Sequence, residues 1–168
     1  AERGHQVVLA TKDDLDVPTE WPRGDDFREG LKHPVTVVLR EPGPSSTIAR
    51  LRTQLSSSVF LRMKHLIEDA DVLHVHGPWE PDNTRLARSA KDMGTPYVVT
   101  PHGMLDDWSM SQRGLKKRIA MALYTRKTLK EASIVQCTAS GEVEQAKKWI
   151  GHDRIQIIPY IMDLSHYT

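Results

Sequence analysis

The chain has 168 residues, with 39% hydrophobic and 27% charged side chains, enough apolar material for one core and too much for a disordered or fibrous chain. Lys and Arg number 23 against 22 Asp and Glu, a formal charge of +1 that argues against nucleic-acid binding through bulk electrostatics. The single cysteine, Cys137, excludes an internal disulfide framework and any Cys-rich zinc site, and no apolar run approaches the roughly 20 residues of a membrane span.

In chain order, Ala1-Glu2-Arg3-Gly4-His5 reads as the tail of a helix closed by Gly4. Gln6 to Thr11 reads as a strand. Lys12 to His33, rich in acids, prolines and glycines, reads as a surface loop. Val35 to Leu39 is β-branched and predicts a strand. After Pro42-Gly43-Pro44, Ser45 or Ser46 is placed to cap a helix whose apolar stripe runs Ile48, Leu51, Leu55, Val59, Met63, Leu66, Ile67, with Ser56-Ser57-Ser58 interrupting it. A helix tail without its helix predicts that the chain begins inside a larger domain.

The rhythm then becomes regular. Strands are predicted at Val72–His76, Tyr97–Thr100, Ile134–Cys137 and Ile155–Ile158. Helices are predicted at Pro81–Met93, Leu115–Ala132 and Ser140–Ile150, and a long turn at Pro101–Gln112. Leu115, Ile119, Leu123 and Leu129 are expected on one buried side of the second helix. Gly94 and Gly151 end the first and third. Short apolar strands alternating with helices predict an α/β Rossmann-like three-layer sandwich with a mostly parallel sheet.

In such a sheet, ligands gather outside the carboxyl ends of the strands. The segments there are His76-Gly77-Pro78-Trp79-Glu80, Pro101-His102-Gly103-Met104-Leu105-Asp106-Asp107-Trp108 and Cys137-Thr138-Ala139-Ser140-Gly141-Glu142. Two repeat a His-Gly pair. Glycine permits close approach or positive φ, and histidine hydrogen-bonds a hydroxyl or phosphate. Trp79 and Trp108 suit the C–H face of a sugar ring, or else cover loop hydrophobics. Glu80, Asp106 and Asp107 are candidate acceptors for sugar hydroxyls. Glu142 is a further acid in the third segment, or an ordinary first-turn helix residue. His74, two residues before His76, shares its sheet face and reads as a core or supporting histidine. Cys137 reads as a small buried residue. A different chemistry stays open: His74, His76 and His102 as three zinc ligands of a metal-dependent hydrolase.

His74-Val75-His76-Gly77-Pro78-Trp79-Glu80 and Gly94-Thr95-Pro96-Tyr97-Val98-Val99-Thr100-Pro101-His102-Gly103-Met104-Leu105 resemble the N-terminal domain of retaining glycosyltransferase family 4, enzymes of GT-B architecture. The resemblance covers nearly the whole chain and is strongest from Asp71 to Gly114. It implies transfer of a sugar from a nucleotide-sugar donor to a glycan or lipid-linked acceptor hydroxyl, in polysaccharide or glycolipid synthesis, with retention at the anomeric carbon. No cofactor or metal is implied beyond the nucleotide sugar. His102 would be the catalytic residue, reaching a donor-sugar hydroxyl, while Gly77, Trp79, Gly103, Met104, Asp106 and Trp108 would shape the acceptor side and His76 and Glu142 would also bind substrate. The register leaves Glu144 as an alternative to Glu142.

By the same resemblance, residues 1–160 form the acceptor-side domain and 161–168 begin an inter-domain linker. The domain's first strand and the second GT-B domain are absent, so the fragment alone is expected not to turn over. Self-association through exposed strands is a corollary. A cytoplasmic location is implied, with peripheral association at the inner membrane surface as a second placement. A non-catalytic sugar-binding module of the same fold is the remaining alternative. Where the family reads Pro-Asn-Gly at the linker, this chain has Pro159-Tyr160-Ile161.

Overall fold

The computed structural model describes residues 5–11, 17–22, 24, 35–38, 55–151 and 154–160. The expected helix tail at residues 1–4, the cap at Ser45 or Ser46, the stripe positions Ile48 and Leu51, and the linker from residue 161 lie outside the described residues. The chain divides into two compact units, Ala1–Val59 and Phe60–Thr168.

In the first unit, β1 (Val8–Thr11) and β2 (Val35–Val38) pair in parallel, with Val8 opposite Val35 and Thr11 opposite Val38. The parallel pairing requires a long crossover connection, and the 23 residues from 12 to 34 supply one. Val37 is fully buried.

Helix α1 (Ser57–Glu68) begins where the sequence pattern was interrupted. The Ser56 hydroxyl accepts the Val59 N–H at 3.3 Å, so the serine run starts a helix instead of crossing one. Met63 and Ile67 are buried from the expected stripe, and the Thr95 hydroxyl donates to the Ile67 carbonyl at 3.1 Å.

The second unit is built on a four-stranded parallel sheet in the order β3-β4-β5-β6: Leu73–His76, Tyr97–Thr100, Ile134–Cys137 and Ile155–Ile157. Helix α2 (Pro81–Met93) connects β3 to β4 and α6 (Ser140–Ile150) connects β5 to β6. Proline stands at the first position of α2, and Gly94 closes it at φ 82°, its N–H reaching the Ala90 and Lys91 carbonyls. Between β4 and β5 lie α3 (Asp107–Ser111) and one long helix in three parts: α4 (Gly114–Ala120), a π-helical turn (Met121–Thr125) and α5 (Arg126–Glu131).

Val75, Val99 and Val135 form the buried row across the sheet, packed with Leu86, Ala87, Ala90, Leu129 and Ala146 from the helices. Short apolar strands of a parallel sheet are ordinarily buried on both faces, yet Val72, Ile157 and Ile158 are 52%, 54% and 40% exposed. The reason is sheet position, since β3 and β6 are the edges of this four-stranded sheet.

The long helix also departs from its expected face. Leu129 is buried, whereas Leu115, Ile119 and Leu123 are 76%, 50% and 74% exposed. In the π turn the Arg126 N–H bonds the Met121 carbonyl, five residues back. The extra residue in that turn slips the pattern by about 100°. The slip brings Met121, Thr125 and Leu129 onto one buried face, whereas Ile119 and Leu123, each two residues from Met121, lie about 160° round the helix from it and stay exposed.

Candidate functional site

Three loops at the carboxyl ends of β3, β4 and β5 build the site. After β3, Gly77 takes φ 82° and its N–H donates to the Thr100 carbonyl at 3.0 Å, tying the loop to the end of β4. Asn83, on the first turn of α2, donates from its amide to the carbonyls of His76 and Gly77 at 2.8 and 3.0 Å. Two threonine- and tyrosine-type donors reach the same loop from the π turn: Thr125 to the Pro78 carbonyl at 3.2 Å, Tyr124 to the Trp79 carbonyl at 3.3 Å. An irregular helical turn thus fixes the first His-Gly corner.

After β4, Pro101–Met104 forms a tight turn closed by Met104 N–H to the Pro101 carbonyl at 3.1 Å. His102 and Gly103 occupy its centre at φ 54° and 71°, the left-handed pair that such a turn demands. Histidine at positive φ is strained, and the surrounding contacts hold it there. The Asp106 carboxylate then accepts the Ser109 N–H and caps α3. After β5, Glu142 Oε2 accepts from the Thr138 N–H and hydroxyl at 2.6 and 2.7 Å.

These constraints leave one oxygen of each acid turned toward Gly103. A methyl group on Gly103 would sit 3.6 Å from Glu142 Oε1 and 3.8 Å from Asp106 Oδ2. Beside them is a pocket of about 200 Å³, lined by Gly103, Leu105, Asp106, Cys137, Glu142 and Gln145 among others. Burial, and then the Glu142 charge, push the Cys137 thiol up to about 11, so it is an inert part of the wall. Glu144 is turned away, paired with Lys147 at 2.7 Å.

Four rings run in a column beside this pocket turn. His74 stacks on His76 at 4.3 Å between centroids, His76 on His102 at 5.1 Å, and His102 on Tyr160 at 6.0 Å. The strand period of two puts His74 and His76 on one face, and the in-register pairing of β3 with β4 brings His102 beside them. His76 Nδ1 lies 2.9 Å from His102 Nε2, and the Tyr160 hydroxyl lies 2.6 Å from His102 Nδ1. Behind the column, His74 Nε2 is 2.6 Å from Thr100 Oγ1, which donates to Gln136 Oε1 at 3.1 Å; Gln136 donates in turn to the Ile158 carbonyl at 2.9 Å. Because the Thr100 proton is committed to Gln136, His74 must donate from Nε2. Loss of water around His76, reinforced by the neighbouring imidazoles of His74 and His102, lowers its pKa to about 4. Burial, then His102, lowers that of His74. Both are neutral at pH 7.

The three-histidine zinc reading is not supported. Nitrogens of His76 and His102 face each other and His74 Nε2 is directed at Thr100, so the three do not converge. Among the described residues no group of three His, Cys, Asp or Glu is arranged to hold a metal ion.

The structure therefore gathers His76, Gly77, His102, Gly103, Met104, Asp106 and Glu142 around the loops at one sheet edge; Met104 Cε lies 4.0 Å from where a methyl on Gly77 would be. A family model described as a glycosyl transferase 4-like domain matches residues 1–160. The chain belongs to this family. No curated protein matches it. Within this glycosyl transferase 4-like domain two tryptophans stand apart from the pocket. Trp108 is 74% exposed on α3. The Trp79 ring lies under the Lys117 ammonium at 5.4 Å, with its indole N–H buried and without a hydrogen-bond partner among the described residues.

Sequence reasoning did not single out Asn83, Thr100, Gln136 or Tyr160. Thr100 and Gln136 carried a signal: a hydrogen-bonding side chain inside a strand buried on both faces needs a partner. Asn83 and Tyr160 act through contacts that only the fold reveals.

Proposed function

We propose that this domain provides the acceptor side of a retaining glycosyltransferase, moving a sugar from a nucleotide-sugar donor to a hydroxyl of a glycan or lipid-linked acceptor. The observation that carries this reading is the left-handed His102-Gly103 turn, set between a column of imidazoles and the inward oxygens of Asp106 and Glu142. Imidazole N–H groups on one side and carboxylate oxygens on the other match a sugar, whose hydroxyls both accept and donate. His102 is assigned to a hydroxyl of the donor sugar. His76, Gly77, Gly103, Met104, Asp106 and Glu142 are assigned to the acceptor side, with Trp79 and Trp108 at its margin.

The acceptor hydroxyl attacks the anomeric carbon on the face from which the phosphate leaves, and a departing phosphate oxygen takes the hydroxyl proton. Such a reaction needs positioning and electrostatic stabilisation more than a strong protein base. That suits a site whose His76, with its pKa lowered to about 4, is neutral at pH 7. No helix of the described residues is long and apolar enough to cross a membrane. We assign the domain to the cytoplasm, where nucleotide sugars serve polysaccharide or glycolipid synthesis.

The test is transfer by the enzyme from UDP-glucose, UDP-N-acetylglucosamine and GDP-mannose to a glycan and lipid-linked acceptor panel, with product configuration read by NMR. The reading expects retention, and a loss of about a hundredfold in kcat/KM for His102→Ala. Inversion, or undiminished transfer by that variant, overturns it.

A further inference from the structure

Tyr160 joins the site through His102: its hydroxyl lies 2.6 Å from His102 Nδ1, and its ring lies beside the imidazole with centroids 6.0 Å apart. We infer that Tyr160 is a positioning residue: its hydroxyl donates to His102 Nδ1 and polarises a relay through His102 Nε2–H to His76 Nδ1, so that His76 presents Nε2–H as a donor to the bound sugar. The inference rests on the transferase reading for its functional consequence, and on hydrogen-bond geometry for its direction.

The direction follows from the chemistry of each junction. A phenol is a good donor and a poor acceptor, whereas a bare imidazole nitrogen is a strong acceptor, so the Tyr160–His102 contact runs from oxygen to nitrogen. With Nδ1 occupied as an acceptor, the His102 ring carries its proton on Nε2. Nε2 faces His76 Nδ1 at 2.9 Å, which makes His76 the acceptor there. Neutral His76 then carries its proton on Nε2, for which no partner is found among the described residues. The reverse relay would end with a phenol oxygen accepting from an imidazole N–H and would turn His76 into an acceptor.

The relay gives the site a defined polarity. His76 offers a donor, and Glu142 Oε1 and Asp106 Oδ2 offer acceptors near Gly103. Tyr160 follows β6, at the far edge of the sheet from His76 on β3, so the relay also links the two ends of the sheet across the site. The ring of Tyr160 lies within 17° of the His102 plane; Tyr160→Phe keeps that stacking and removes only the hydroxyl.

The experiment is long-range 1H–15N spectroscopy of the histidine rings at pH 7.5, on the unmutated protein and on Tyr160→Phe, together with transfer kinetics of the intact enzyme that carries this domain. In the unmutated protein we expect His102 and His76 both protonated on Nε2, with His102 Nδ1 shifted as a hydrogen-bond acceptor. In Tyr160→Phe that shift is lost, while the His74 signal, held by Thr100, does not move and reports an intact fold. Transfer in the variant falls about tenfold, the value of one lost hydrogen bond to a positioned group. A proton on His102 Nδ1 in the unmutated protein, or identical His102 signals in the variant, overturns the relay. An intact enzyme carrying this domain that shows the relay yet catalyses no transfer supports it and refutes the transferase reading instead.

Discussion

Thr100→Val tests whether the buried polar chain behind the imidazole column is real. Thr100 is fully buried, accepts from His74 Nε2 at 2.6 Å and donates to Gln136 Oε1 at 3.1 Å. Valine has the same shape and keeps the packing. What changes is that the oxygen of Gln136, a residue only 7% exposed, loses its donor. An unsatisfied buried acceptor costs about 1–3 kcal/mol. His74 is more exposed and recovers a water, and the added apolar surface returns about 0.8 kcal/mol. The net loss is about 0.2–2.2 kcal/mol, and Tm falls by up to about 9 °C at the sensitivity usual for this size. Urea unfolding followed by circular dichroism measures it as a lower midpoint at constant slope. Adding Gln136→Leu removes both partners together, so the double variant loses less than the sum of the two single losses. An unchanged midpoint in Thr100→Val, or strict additivity in the double variant, refutes the chain.

Gly103→Ala introduces a side chain at φ 71°, with its methyl 3.6 Å from Glu142 Oε1. It should cost about 1–2 kcal/mol in urea unfolding and weaken sugar binding by calorimetry, because the methyl occupies the space the acids face. The histidines set an acid limb. The folded pKa of His76 lies near 4, below its ordinary 6.5, so its share of stability is whole above pH 6.5 and is lost as pH falls toward 4. His74 acts in the same direction. In His76→Gln the urea midpoint should therefore fall less steeply between pH 6.5 and 4 than in the unmutated protein; equal slopes would contradict the assignment.

Elements bounded by a single decisive residue were legible in the sequence. Pro81 and Gly94 set both ends of α2, and the limits of β4, β5 and α6 also fall where the pattern puts them. The rule that ligands gather at strand ends identified the loops carrying His76, His102 and Glu142. Three features were illegible for physical reasons. Ser56-Ser57-Ser58 fits a helix interior and a helix start equally well by spacing, and only the Ser56–Val59 hydrogen bond decides. The π turn carries Tyr124 and Thr125, whose hydrogen bonds reach the β3–α2 loop, and local periodicity contains no trace of those partners. Tyr160 meets His102 across a separation of 58 residues, so its part in the site depends on the sheet order alone.

The account depends on a carbohydrate site at the His102-Gly103 turn. Titration of the isotopically labelled protein with UDP-glucose, GDP-mannose and a panel of methyl glycosides, followed by NMR, tests that most directly. The account predicts that the active compounds shift the His76 and His102 ring signals and the Gly103 amide, and leave Lys91 and Glu131 on the α2–α5 surface untouched. Saturable shifts confined to another surface, with those three signals still, would contradict it.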